Sequence, residues 1–317
     1  MELIFNKDGK GSKELKEHLG FLDADFKYKN IKTDIEHATL DLINLIGEET
    51  YLEILKIYKK EELTEEEQTL IRYTQLPIAQ FAHLAFCANY DLNHSNNGRK
   101  IELGADEKIP FAHQIEADNI ASRKRGYKAL DILLDYLEKI QFNSWINSEI
   151  FKEAKNHFIS STKEFKKVFK NFDSRQLFVR LQSAIHDIEM DEIIPVIGHE
   201  NFNTLLQKKN ENDLNTQEKQ LVNFIQKAIA FFSLHEAYKT LPVEMFPGTI
   251  YNEKGVMSSQ ARLEVQDYFK LKASSFLEKI MKLNIQKMEE DLLINTEEDI
   301  IDPMNMDLMD NGKSINL

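Results

Sequence analysis

Few residues in this chain have the types and spacing to do chemistry together. His83 and Cys87 stand four residues apart, on one face if the segment is helical. A thiol beside an imidazole is the arrangement that nucleophilic catalysis by cysteine requires. The stretch around them reads as core, where a thiol is inert. His186-Asp187-Ile188-Glu189 and His235-Glu236 bring metal-ligand types close together. No full ligand set can be assembled around either, so exposed helix positions are expected for both. Gly312-Lys313-Ser314 looks like the end of a phosphate-binding loop, but it lacks the upstream glycine and has three residues after it. Gly9-Lys10-Gly11-Ser12 has glycines at the wrong spacing. The many Asp and Glu residues are spread as solvated faces with Lys at helical spacing. The sequence therefore assigns no catalytic, cofactor-binding or metal-ligating residue and implies no cofactor.

The elements that would have to position such residues occur twice. Ile46-Gly47-Glu48-Glu49-Thr50-Tyr51 recurs as Ile197-Gly198-His199-Glu200-Asn201-Phe202, 151 residues later. The match runs without a gap through Leu63/Leu214, Glu67/Glu218, Gln75/Gln226 and Phe81/Phe232. Upstream, Ser12-Lys13-Glu14-Leu15 matches Thr162-Lys163-Glu164-Phe165 at 150, one residue out of step. Downstream, Leu137-Glu138-Lys139-Ile140 matches Leu277-Glu278-Lys279-Ile280 at 140. A period this long points to tandem duplication of one domain.

Each copy should begin with a short helix, Ser12–Gly20 or Ser161–Lys170. An alternating stretch follows, Phe26–Ile31 or Leu177–Leu181, predicted to be extended. An amphipathic helix comes next, over Thr33–Ile46 in the first copy, capped by Thr33 or Asp34. It stops at Gly47, as its counterpart stops at Gly198, through a left-handed glycine. A short helix, Glu49–Lys60, leads to a central helix opened by Thr64-x-x-Glu67 or Asn215-x-x-Glu218, the pattern of a capping box. That central helix is apolar nearly all round and must be surrounded. Pro77 should kink it in the first copy. Long connections, Asp91–Glu116 and Pro242–Val256, precede a last helix expected at Ile120–Ile140 and at Ser259–Leu292. The predicted fold is mainly α: two tandem, duplicated helical-bundle domains with long projecting loops and a C-terminal arm. The divisions are 1–145, a linker helix in 146–160, a second domain over 161–292 and the arm over 293–317.

The bulk properties fit this plan. The 317 residues are 42% hydrophobic, with only 11 Gly and 6 Pro, a composition that favours helix. A net charge of −13 argues against sequence-independent nucleic-acid binding, which needs a basic footprint. One cysteine excludes an internal disulfide. No secretory signal and no apolar run of membrane-spanning length are read, so a reducing cytoplasm is the expected place of synthesis.

Asp23-Ala24-Asp25-Phe26, the Ile46–Tyr51 turn, Asn97-Gly98-Arg99-Lys100 and Tyr127-Lys128-Ala129-Leu130-Asp131 together resemble a family of tailed-phage and prophage proteins. That family is taken to include structural ring proteins of crAss-like phages. The helical plan of each half is also similar to head–tail adaptors. This resemblance implies a non-enzymatic virion protein, assembled in the host cytoplasm into a homo-oligomeric ring at the portal vertex or upper tail. It implies twelve copies, or six if each chain presents two modules. Its partners would be the portal protein and neighbouring tail or ring proteins, with DNA passing through the lumen and no membrane involved. A soluble helical interaction scaffold is the alternative reading, and an enzyme with a site between the domains is the third. On the ring reading, Asp91–Glu116, Pro242–Val256 and Thr296–Leu317 are contact regions. Truncation after Asn295 should leave both bundles folded, checked by circular dichroism, while lowering the yield of assembled rings. An undiminished yield would count against the arm.

Overall fold

The computed structural model describes residues 1–20, 22, 25–91, 93–95, 98–100, 110–172, 174–242 and 259–298, the last helix with side chains only for 260–286. In chain order the helices of the first half are α1 (Gly11–His18), α2 (Tyr28–Ile46), α3 (Glu48–Tyr58), α4 (Glu65–Tyr90) and α5 (Ala112–Lys139). Between α4 and α5, β1 (Asn93–Ser95) pairs antiparallel with β2 (Gly98–Lys100). Short helices α6 (Asn143–Asn147) and α7 (Glu149–Glu153) follow, then a 3₁₀ turn at Ala154–Asn156. The second half comprises α8 (Thr162–Val168), α9 (Arg175–Arg180), α10 (Gln182–Ile188), α11 (Ile194–Ile197), α12 (His199–Glu211), α13 (Thr216–Thr240) and α14 (Ser259–Glu298). The fold is mainly α, in a duplicated arrangement.

The buried apolar residues form two cores, one drawn from Ile4–Trp145 and one from Ala154–Ile280. In each, the central helix packs against the last helix: α4 on α5, and α13 on α14. The copies agree in detail. Both capping boxes form, with Thr64 Oγ1 accepting from Glu67 N and Asn215 Oδ1 accepting from Glu218 N, and each glutamate returning to the cap N–H. A lysine holds each box glutamate at 2.6 Å, Lys60 on Glu67 and Lys208 on Glu218. Gln75 Nε2 donates to Ile4 O at 2.6 Å, and Gln226 Nε2 donates to Phe158 O at 2.8 Å. Two residues beyond each of those carbonyls, Asn6 N donates to Glu14 and Ser160 N donates to Glu164. Tyr73 meets Tyr136 edge-on where Phe224 lies tilted against Phe276. The same side chains thus pin the incoming segment to the central helix in both halves.

The one-residue slip in the repeat has a structural cause. Between Phe178 and Ile197 the second half has one residue more than Tyr28–Ile46. The extra residue is absorbed in a π-helical turn at Glu189–Ile193, between α10 and α11. A π turn is how a helix accommodates a single insertion. What is one helix in the first half is therefore a broken series in the second.

Several expectations are corrected. The alternating stretches are helical, because Phe26–Ile31 runs into α2 and Leu177–Leu181 runs through α9. Their apolar residues face one surface at helical spacing, so Thr33 and Asp34 lie inside α2 instead of capping it. Helix α5 starts at Ala112, eight residues before Ile120, with its first turn closed by Gln114 onto Phe111 N. The linker is α7 plus a 3₁₀ turn, and α6 crosses the boundary at 145. Helix α14 continues to Glu298, past the expected start of the arm at 293. Residues 101–109, 243–258 and 299–317, which hold most of the expected loops and arm, lie outside the described residues.

Gly47 and Gly198 do end their helices, but not in the left-handed helical region. Their φ/ψ values are 84/150 and 81/151, a region open essentially to glycine alone. Each residue is at once the end of one helix and the N-cap of the next. Gly47→Ala and Gly198→Ala should each cost about 1–3 kcal/mol by denaturant unfolding. Gly20→Ala, at a position with open space and no positive φ, should change stability by less than about 0.5 kcal/mol. Equal effects at all three sites would refute this account of the turn.

Candidate functional site: the joint between the halves

A network of polar contacts lies where the halves meet. Helix α5 of the first half packs against the short helix α9 of the second. Ser174 caps α9 by accepting from Leu177 N at 3.2 Å. Its hydroxyl also donates to Asp131 Oδ1 at 3.0 Å, and Gln176 N donates to the same oxygen at 2.8 Å. Asp131, in the middle of α5, thus satisfies donors at the start of a helix in the other half. Arg175 Nε donates to Glu138 Oε1 at 2.5 Å, about two helical turns along α5 from Asp131. The Arg175 guanidinium lies 5.1 Å from the Phe178 ring, within cation–π range, while its Nη1 has no partner among the described residues. Apolar contact completes the joint: Tyr127 packs on both cores and Val179 packs on the first.

Burial sets the electrostatics here. Loss of solvent pushes the Asp131 carboxyl up to about 6, Asp135 adding to the rise, while the bonds from Gln176 and Ser174 oppose it. Asp135 is raised too, by burial and then by Glu138, with Arg175 opposing. The arrangement orients two helices with hydrogen bonds whose donors would otherwise be buried unpaired.

The sequence candidates are distributed differently. His83 and Cys87 do meet, with Sγ 3.4 Å from Nε2. Burial, then Asp91 and Asp118, push the thiol up to about 11, and burial lowers His83. The thiol is therefore protonated at neutral pH and a poor nucleophile. His83 lines an 820 Å³ cleft with Asp25, Lys27, Asp118 and Arg125, whose charges alternate in sign. His186 and Asp187 are exposed, as expected. Glu189 and His235 are not. Glu189, 2% exposed, takes His157 Nδ1 at 2.7 Å and Phe158 N at 2.8 Å. His235 Nδ1 lies 2.9 Å from Gln266 O. Both are structural ties, one at the π turn and one between α13 and α14. Ser12, of the Gly9–Ser12 stretch, accepts from Tyr28 N at 2.9 Å. Gly312–Ser314 lies outside the described residues. Among the described residues no three His, Cys, Asp or Glu side chains are grouped to hold a metal, and no helix is long and apolar enough to cross a membrane.

The residues of the joint were not found from sequence. Asp173-Ser174 before an apolar run is an N-cap signature that could have located the start of α9. Asp131, Asp135 and Glu138 share one face of α5 and read as an ordinary solvated stripe.

The family of unknown function DUF6712 matches residues 42–155 and 193–282, more than half of the chain. The chain belongs to this family. Its two matched stretches begin 151 residues apart, the spacing of the internal repeat. No curated protein and no solved structure matches the chain.

The raised carboxyl of Asp131 has a definite sign. Between about pH 4 and about 6 the folded chain keeps a proton that the unfolded chain has released, so this group lowers stability as pH rises through that window. Asp131→Asn keeps an acceptor for Gln176 and should flatten that slope. Asp131→Ala leaves the donors unpaired and should cost about 1–3 kcal/mol. Urea unfolding at several pH values checks both, and an unchanged slope in Asp131→Asn would overturn the assignment.

Proposed function

We propose that the chain is a structural subunit that packs helical modules side by side into a ring at the phage portal vertex or upper tail, without a catalytic step of its own. The joint carries this reading. One chain already contains two matched modules docked through different faces, α5 of one on α9 of the next. A contact between different faces of successive modules is the kind that, repeated, closes a ring. The resemblance of the Ile46–Tyr51 turn and Tyr127–Asp131 to tailed-phage proteins is what suggests the portal vertex as its place, and the net charge of −13 suits a wall that DNA must pass without sticking. The ring would present twelve modules from six chains, or twelve chains, to the portal and tail proteins above and below it. Electron microscopy of the purified chain and of phage particles tests this. Rings of six or twelve chains, also seen between head and tail, are expected. A stable monomer absent from particles would sink the reading and favour a soluble scaffold.

A further inference from the structure

The joint inside the chain identifies a second, open joint. The register between α5 and α14 is given by Leu137–Ile140 against Leu277–Ile280 and by the buried pairs Ala129/Phe269 and Leu133/Ala273. In that register the joint residues Asp131, Asp135 and Glu138 correspond to Leu271, Ser275 and Glu278. All three of the latter are exposed, and Leu271 is 73% exposed. Leu263 and Met281 extend the same exposed face. On the other side, Ser174 and Gln176 correspond to Ala24 and Phe26 at the spacing of 150.

The substitutions are matched. Within the chain a carboxylate meets a hydroxyl and a backbone N–H; at the open ends Leu271 stands where Asp131 does on one side and Phe26 where Gln176 does on the other. Phe26 is half-buried and lies edge-on to Phe86 at 5.4 Å, and Phe86 stacks at 4.6 Å on Tyr90, which is 65% exposed. The N-cap residue of α2, Lys27, makes no side-chain cap, and its first N–H is taken by Ser12. The counterpart of the Arg175–Glu138 pair is Asp25 and Glu278, which cannot pair, so the open joint must rely on apolar burial.

We infer that the exposed face of α14 around Leu271 docks head-to-tail on the start of α2, around Phe26 and Tyr90, of a second copy of this chain. This rests on the reading of the chain as an assembling subunit and names the surface through which copies meet. The contact uses two different faces, so its repetition gives rings or filaments and not closed dimers.

The test uses the full chain with Cys87→Ser, carrying either Leu271→Cys or Lys27→Cys, both exposed positions. A short thiol-to-thiol crosslinker should join the two variants when mixed and leave each alone uncrosslinked. Leu271→Asp should weaken self-association at least tenfold by light scattering, while Leu40→Asp, at another exposed apolar position, should not. Crosslinking of Leu271→Cys to itself would overturn the proposal in favour of a two-fold contact. Assembly that persists undiminished in Leu271→Asp would overturn this surface and leave the assembly reading standing. A wild-type chain that stays monomeric at tens of micromolar would defeat both.

Discussion

The middle of each central helix, Thr74–Ala82 in α4 and Ala228–Tyr238 in α13, has almost no face to give to water, and the remaining elements are arranged around that constraint. Helix α4 buries Leu70, Ile71, Ile78, Ala79, Ala82 and Phe86, and α13 buries residues from Val222 to Tyr238. Burial of side chains of this size contributes about 1.5–3 kcal/mol each, but only if other helices cover every side. Four elements pack on α4 in the first half: α1, α2, α3 and α5. Polar groups then specify how. The buried amide of Gln75 and the half-buried amide of Gln226 reach out from the central helices to the carbonyls of Ile4 and Phe158, where an unpaired amide would be costly. They turn an apolar contact that could slide into one with a single register.

The halves differ where the second has been modified. Its π turn takes up an extra residue and directs the Glu189 carboxylate inward, onto His157 and Phe158 N. The tie therefore clamps the end of the linker to the second core. Together with the Asp131 joint, it fixes both ends of the passage from one half to the other. Of the polar residues that looked closest to chemistry, Glu189 and His235 are used in this way, as connections between elements, and Cys87, beside His83, is held protonated by burial.

Much of the fold was legible because its signals are local. A capping box needs only residues i and i+3, a helix stop needs one glycine, and a duplicated domain needs only counting. Even the slip from 150 to 151 was visible, though not that a π turn would absorb it. The alternating stretches were misread because each also holds apolar residues three or four apart, Tyr28 with Ile31 and Leu177 with Leu181, which share one face of a helix, and the packing of Ile31, Leu177 and Leu181 into their cores decides for helix. The start of α5 was missed because its first turn is polar and exposed, with no apolar period to mark it.

By itself the sequence determined the helical class, the doubling, the caps and the two glycine turns, since each follows from the preferences of residues adjacent in the chain. Only the tertiary structure decided which polar residues are buried, and hence that Asp131 serves a helix of the other half and that Leu271 occupies the matching position uncovered. Asp131 and Gln176 are 45 residues apart. Whether a carboxylate on a helix face meets water or another helix depends on where the rest of the chain goes, and that is a property of packing.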